Sequence, residues 1–193
     1  MKKFLTLKNI LICAGALVLV VMFCLSFAAK FAANQDGHIM AYHGIVWGSK
    51  TVSMDGTKYP ISDLGEGFDK ILPSTVLLIG VILMLVAALA AVLVALLVKK
   101  PWAKWLVLGL AVVALAGAIM QFFAKDSFLW AMVNTMAKQY GVTDKAQIKE
   151  AFEHYKAEMA KYDVKVTVSI LSGVFGIVGA LALGAGALLP EKK

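Results

Sequence analysis

The sequence contains no arginine, and all nineteen of its basic residues are lysines. The chain therefore has no guanidinium group, the planar fork that binds phosphate or carboxylate through two parallel hydrogen bonds. Its two cysteines, Cys13 and Cys24, lie on nearly the same face of a predicted helix but about 16 Å apart along it, too far for a disulfide between them. The loops have no cysteine, so no disulfide holds them. The all-lysine composition is also compatible with an AT-rich bacterial genome.

Charged residues and histidine are missing from four long apolar segments, Ile10–Ala29, Val76–Val98, Trp105–Ala124 and Val166–Leu189. Charges inside a membrane usually mark proton relays, ion pathways and substrate sites. Their absence counts against a coupled transporter, a pump and an intramembrane protease.

The apolar segments predict membrane spans. Val76–Val98 has no polar side chain, and as a helix it reaches about 34 Å, enough to cross a bilayer core. The whole chain is 61% hydrophobic, with a mean hydropathy of +0.81. We predict an all-α membrane protein, a single domain built on a bundle of four transmembrane helices. The predicted spans cover about residues 10–30, 74–98, 102–124 and 165–189, and the predicted external loops about 31–73 and 125–163.

The uneven distribution of lysine predicts the orientation. The short segments at one side of the spans hold eight lysines against one acid, Glu191, whereas the two long loops with their flanks hold eleven lysines and eleven acids. Because lysine is enriched on the cytoplasmic side of membrane proteins, we predict cytoplasmic termini and external loops, in a multi-pass protein of the plasma membrane. The net charge of +7 then needs no nucleic-acid partner to explain it.

The first apolar segment has two interpretations. Lys2 and Lys3, the apolar core and a possible cleavage site at Ser26-Phe27-Ala28 resemble a secretory signal peptide. Twenty apolar residues are long for a signal core but suit a span, so we favour a retained signal-anchor.

The first loop contains a β-hairpin signal, Asp55-Gly56, between the predicted strands Gly44–Met54 and Thr57–Ile61. A two-residue turn places Val52 opposite Tyr59 on a mostly apolar face, and Pro60 indicates an edge strand.

The second loop predicts a helical hairpin. Phe128, Met132, Met136 and Tyr140 continue the third helix, Gly141 is a C-terminal cap, and Thr143 caps the next helix. That helix is amphipathic, with an apolar stripe at Ile148, Phe152, Tyr155, Met159 and Tyr162. The preceding helix, the outer leaflet or a partner protein could cover this stripe, and chain order favours the preceding helix.

Small residues predict close helix packing. They recur every four residues in the fourth span and in the second, at Ser172, Gly176, Ala180, Gly184 and at Ala87, Ala91, Ala95. Either the two stripes pack against each other within one bundle, which we favour, or the fourth span forms a seam between copies of the protein.

Few residues of the sequence suggest a catalytic or metal-binding site. His38 and His43 with Asp36 match no zinc signature, and the sequence has no phosphate-binding glycine loop, no catalytic Ser-His-Asp set and no CxxC motif. We therefore predict no cofactor, no metal site and no enzymatic activity.

The order of parts resembles the claudin and peripheral-myelin tetraspan arrangement, with cytoplasmic termini, a longer β-rich first external segment, a tight inner turn and a third helix that projects past the membrane. Trp47-Gly48 lies in the strand region, whereas the family's Gly-Leu-Trp followed by two cysteines is absent. The charged hairpin over Asp126–Asp163 also departs from that pattern. The resemblance covers topology alone, and it implies lateral or cell-facing association through the external strands.

These features predict a membrane scaffold or accessory subunit without enzymatic activity. It presents an external cap, made of the β-hairpin and the helical hairpin, to a partner protein or to another copy of itself. The predicted partner contacts are Trp47, Val52 and Tyr59 of the strands, and Phe152, Tyr155 and Met159 of the outer helix. One alternative is a homo-oligomeric pore or small-molecule passage lined by the fourth span. A second is an enzyme that acts on lipid or envelope material through His38, His43 and Asp36.

Overall fold

The structure, a computed structural model, describes residues 6–64, 71 and 73–190. Within these residues it has helices and strands in the order α1 Leu7–Leu25, β1 Lys30–Gln35, β2 His38–His43, β3 Thr51–Met54, β4 Thr57–Pro60, α2 Thr75–Leu97, α3 Ala103–Met120, α4 Ala124–Gln139, α5 Lys145–Met159, β5 Asp163–Thr167 and α6 Ser169–Leu188. The terminal charges that indicate orientation, Lys2, Lys3, Glu191, Lys192 and Lys193, lie outside the described residues.

Four helical stretches of the described chain are long and apolar enough to cross a membrane, which confirms the four predicted spans. They cover Leu7–Ala28, Thr75–Leu97, Ala103–Gln139 and Ser169–Leu188. The third stretch comprises α3 and α4, joined by a 3-10 turn at Gln121–Phe123. Its 37 residues exceed the roughly 20 that a bilayer core requires.

The first span ends earlier than predicted and the fourth begins later, because the residues at these ends belong to strands. Helix α1 ends at Leu25, and Lys30 already begins β1. Helix α6 begins at Ser169, since residues Asp163–Thr167 form β5. Val164 and Val166 alternate with charged or polar residues, a pattern typical of a strand.

The chain divides into two compact units. The helical unit consists of Met1–Leu25, Ile79–Phe122 and Leu171–Lys193. In it, a Cβ added at Gly15 would lie 2.6 Å from the carbonyl oxygen of Gly179, so α1 and α6 meet backbone to backbone. Apolar side chains on all four spans are largely exposed, as lipid contact requires: Leu17, Leu93, Val112 and Leu181.

The sheet unit consists of Ser26–Leu78 and Phe123–Ile170. Its strands form one antiparallel sheet in the order β4-β3-β2-β1-β5. The prediction of an all-α chain with a single β-hairpin is therefore corrected to four apolar helices together with a five-stranded sheet.

Two Asp-Gly turns build the sheet. Asp55 and Gly56 have φ angles of 48° and 89°, and Asp36 and Gly37 have φ angles of 52° and 91°. These left-handed pairs are typical of type I′ turns, whose twist matches that of a hairpin. The predicted register of β3 and β4 is confirmed, with Val52 opposite Tyr59. Strand β4 lies at the edge of the sheet, as Pro60 predicts. Strand β3, however, begins at Thr51 rather than at Gly44.

Helices α4 and α5 form the predicted helical hairpin. Gly141 has a φ of 71° and follows the C-terminal end of α4, as predicted. The N-terminal cap of α5 is Asp144 instead of Thr143, because the Asp144 carboxylate accepts a hydrogen bond from the backbone N–H of Ala146 at 2.8 Å. Both are residue types that favour this position, so the sequence alone leaves the choice between them open.

Candidate functional site: an apolar cleft in the helical hairpin

An aromatic cluster attaches α4 to the sheet. The Phe128 ring lies 4.8 Å from the ring of Phe31 in β1 and 5.5 Å from that of Tyr42 in β2, measured between centroids. Phe31 and Tyr42 are paired across the two strands and point to the same side of the sheet. All three are nearly or completely buried. This cluster fixes one helix of the hairpin on the sheet.

Helix α5 is attached to α4 by one aromatic contact and one ion pair. The rings of Trp130 and Phe152 meet edge to face, with centroids 5.2 Å apart. The Lys156 ammonium donates a hydrogen bond to the Asp126 carboxylate at 2.6 Å. That hydrogen bond, followed by the charge of Asp126, raises the pKa of Lys156. The two helices are therefore held together at the end nearer β5.

Between the helices lies an apolar cleft of about 340 Å³. Its lining comes from α4, α5 and the turn between them: Val133, Met136, Ala137, Tyr140, Val142, Gln147, Ile148, Ala151 and Tyr155. Tyr140 is 79% exposed at its edge, so the cleft is open to solvent. The polar groups in this lining are the Gln147 amide and the phenols of Tyr140 and Tyr155. The cleft is therefore suited to bind an apolar group.

Tyr155 connects the cleft to the aromatic cluster. Burial, followed by the neighbouring Tyr155 phenol, raises the pKa of Tyr42 to about 12. Burial also raises the pKa of Tyr155, and Tyr162 adds to this shift. Both phenols therefore stay protonated at neutral pH, and neither is suited to act as a base. The cleft offers uncharged surface only.

Some of the six predicted partner contacts lie at the surface, and others are buried. Tyr155 lines the cleft, Phe152 lies against Trp130, and Met159 is partly buried. Tyr59 is 41% exposed on the edge strand. Tyr59, Phe152, Tyr155 and Met159 remain predicted contacts, and Met136 and Tyr140 of α4 also line the cleft. The sequence predicts that Met136 and Tyr140 share one helix face, but it does not show that they line a cleft.

Two predicted contacts have internal roles instead. Val52 is completely buried, because it lies beside Tyr42 in the same cross-strand row. It therefore cannot contact a partner protein. This corrects its prediction as a partner contact. The Trp47 indole stacks on Phe27 at 4.5 Å and donates its N–H to the Ser26 hydroxyl at 3.1 Å. Trp47 thus ties the β2–β3 connection to the chain that precedes β1.

The predicted helix-packing residues mostly lie inside the helical unit. Ser172, Ala180, Ala87 and Ala91 are buried, whereas Ala95 and Gly184 are partly exposed. A Cβ at Gly176 would meet the Ala118 Cβ and the Met84 sulfur, each at 2.8 Å. The middle of the small-residue stripe is therefore filled by α2 and α3. Three further glycines, which the small-residue stripes do not include, approach backbone instead: a Cβ at Gly15, Gly80 or Gly117 would lie 2.6, 2.8 or 2.5 Å from a carbonyl oxygen.

The histidines do not form one site. His38 and His43 lie at opposite ends of β2 and, being five residues apart, point to opposite faces of the sheet. The Asp55 carboxylate accepts hydrogen bonds from His38 Nδ1 at 2.9 Å and from the Ile39 N–H at 2.8 Å. Asp36 occupies the other turn. In the described part of the chain, no three His, Cys, Asp or Glu residues are grouped to hold a metal ion.

Comparison with protein-family models, with curated proteins and with solved structures finds no match to this chain. The claudin-like arrangement therefore stays a prediction, and any functional conclusion rests on the geometry of the chain itself.

Proposed function

We propose that this protein is an integral membrane scaffold or accessory subunit without enzymatic activity, which binds a partner protein through the cleft between α4 and α5. The observation that carries the proposal is the cleft itself, an open apolar recess on a support fixed by Phe31, Tyr42 and Phe128.

The size and lining of the cleft favour a protein partner. Binding energy at protein interfaces is concentrated in a few apolar or aromatic side chains that fill recesses of the facing surface. A recess of about 340 Å³ accommodates one or two such side chains. Because the helices are already held by the Trp130–Phe152 contact and the Lys156–Asp126 pair, little ordering of the cleft is needed on binding.

The distribution of lysine supports an external position for the cleft. The residues of both long loops are balanced in charge, while the excess of lysine lies in the short segments Met1–Asn9, Lys99–Lys104 and Glu191–Lys193. By the positive-inside rule, the termini are then cytoplasmic and the cleft faces the outside of the cell membrane. The partner is a protein with an apolar segment exposed on that side.

The experiment is mass measurement of the complex, extracted from its own membranes into native nanodiscs, for the unaltered chain and two matched variants. Ala151→Lys places a charge in the cleft, whereas Ala157→Lys places the same charge on an exposed position of α5 outside it. We expect a second polypeptide at fixed stoichiometry, which Ala151→Lys releases and Ala157→Lys retains. Loss of the partner in both variants or in neither contradicts the cleft as its site. Recovery of this chain alone, or with copies of itself, contradicts the partner-binding function.

A further inference from the structure

The face of the sheet opposite Phe31 and Tyr42 carries lysines around a floor of small residues. One cross-strand row on this face reads Lys165, Ala32, Ala41, Ser53 and Lys58, from β5 through to β4. The neighbouring row brings Lys30, His43 and Thr51 together from β1, β2 and β3. We call the group Lys30, His43, Ser53 and Lys58 the lysine cluster.

The centre of the lysine cluster is ordered by hydrogen bonds. The His43 Nε2 and the Ser53 hydroxyl lie 3.0 Å apart, and Ser53 is only 9% exposed. The Ser49 hydroxyl donates to the backbone carbonyl of His43 at 2.8 Å, which fixes that end of β2. From the strand spacing, the Cα atoms of Lys30 and Lys58 are about 16 Å apart on either side of this centre. Both ammonium groups can therefore reach a ligand that lies over His43 and Ser53.

The two lysines of the lysine cluster have no paired acid in the described part of the chain. Burial, followed by Lys58 and Lys30, lowers the pKa of His43, so both lysines act on the imidazole. Asp163 lies on the same face, but its carboxylate pairs with Lys165 at 2.9 Å. Within the described residues, no salt bridge joins Lys30 or Lys58 to an acid. Two cations that pair with no described acid, beside an imidazole and a hydroxyl, make a site for an anion.

We propose that the lysine cluster binds a phosphate group, carried either by a small soluble molecule or by a phospholipid. A phosphate group has several acceptor oxygens that point in different directions. This suits the lysine cluster, whose side chains come from four different strands. A carboxylate offers two oxygens in one plane and is best bound by a guanidinium fork, which this chain lacks. Lysine binds phosphate as a point charge and needs no such fork. This site lies on the other face of the sheet from the aromatic cluster and is independent of the proposed partner cleft.

The test is a titration of the full chain, freed of lipid in a maltoside detergent, with two probes. One arm uses inorganic phosphate, and the other uses dihexanoyl phosphatidylglycerol below its micelle concentration. Binding is followed through the NMR signals of the His43 imidazole. A bound anion offsets the charges of Lys30 and Lys58, so it should raise the pKa of His43 as well as shift its signals. A merely structural role for these residues predicts no such rise.

Two double variants locate the site. Lys30→Gln with Lys58→Gln should weaken binding by about a hundredfold, tenfold for each charged hydrogen bond lost. Lys145→Gln with Lys149→Gln removes the same charge from the exposed side of α5 and should leave binding unchanged. Ser53→Ala keeps every charge and should weaken binding several-fold through loss of one neutral donor.

The outcomes are distinct. Saturable binding of phosphate supports a soluble ligand, and binding of the lipid alone supports a phospholipid headgroup. Equal weakening by the two double variants overturns the proposal, because it would show diffuse attraction to a basic protein. Absence of saturable binding of either probe overturns it as well.

Discussion

Replacing Gly15 by alanine probes the approach of α1 to α6. The added Cβ would lie 2.6 Å from the carbonyl oxygen of Gly179 and 3.0 Å from the backbone nitrogen of Leu183. Ordinary van der Waals contact begins at 3.4 Å, so the first of these distances is 0.8 Å too short. Because both facing atoms belong to the backbone, no side-chain rotation relieves the overlap, and the two helices must separate.

The expected cost follows from two opposing effects. Forcing an extra carbon into a packed interior typically costs about 1–3 kcal/mol. Alanine in place of glycine favours a helix by about 1 kcal/mol. Gly15→Ala should therefore lower the free energy of unfolding by up to about 2 kcal/mol. Gly109 provides the matched control, since no heavy atom lies within 4 Å of a Cβ added there. Gly109→Ala retains only the helix-propensity gain and should raise stability by up to about 1 kcal/mol.

The measurement is reversible unfolding of both variants in maltoside micelles with increasing mole fraction of dodecyl sulfate, followed by far-ultraviolet circular dichroism. Equal stability of Gly15→Ala and Gly109→Ala would refute the close packing of α1 on α6. A gain in stability for Gly15→Ala would refute it more strongly, because the new methyl group would then occupy open space.

Two further predictions concern the sheet unit. The Asp55 carboxylate raises the pKa of His38 above 6.5, and its hydrogen bond with His38 lowers the pKa of Asp55 below 3.8. The pair thus stabilises the folded state fully between pH 3.8 and pH 6.5. Its contribution is lost as the pH rises through the raised pKa of His38, and also as the pH falls through the lowered pKa of Asp55. An NMR titration of His38 should show this rise, and Asp55→Asn should abolish it; an unchanged pKa in that variant contradicts the pairing. Val168 has a φ of 70°, a conformation that costs a branched side chain about 1–2 kcal/mol. Val168→Gly should therefore raise the melting temperature, and a lower one would show that the strain is absent.

The four spans and one hairpin register could be predicted because each depends on a local pattern. Span length follows from uninterrupted apolar runs such as Val76–Val98, and the pairing of Val52 with Tyr59 follows from Asp55-Gly56 with alternating residues on both sides. The hairpin of β1 and β2 contains the same dipeptide, Asp36-Gly37, so its turn could have been predicted in the same way. Its strands carry Ala32, Ala33 and Ala41, whose small side chains make the apolar alternation weak.

Strand β5 was missed because the short alternation at residues 163–167 competes with the apolar run that follows it, and the cleft has no local pattern. Val166 continues into the apolar run of the fourth span, so hydropathy assigns it to a helix, and only pairing with Phe31 makes it a strand. The two residues come from opposite ends of the chain. The cleft requires the crossing of α4 and α5, which depends on the Lys156–Asp126 pair and the Trp130–Phe152 contact. Tyr155 was identified because it belongs to an amphipathic stripe, a pattern that does not show which faces remain open.

The position of β5 in the strand order also determines how late in synthesis the sheet can be completed. Strand β1 lies between β2 and β5, so until residues 163–167 have been made one side of β1 has backbone groups without their sheet partner. Ribosomes add about 5–20 residues per second, so the 120 residues between His43 and Asp163 leave that edge open for about 6–24 seconds. An open edge is a template for pairing with another chain. A nascent chain that stalls within this interval exposes β1 throughout, whereas one that has passed Thr167 can close this edge before α6 is made.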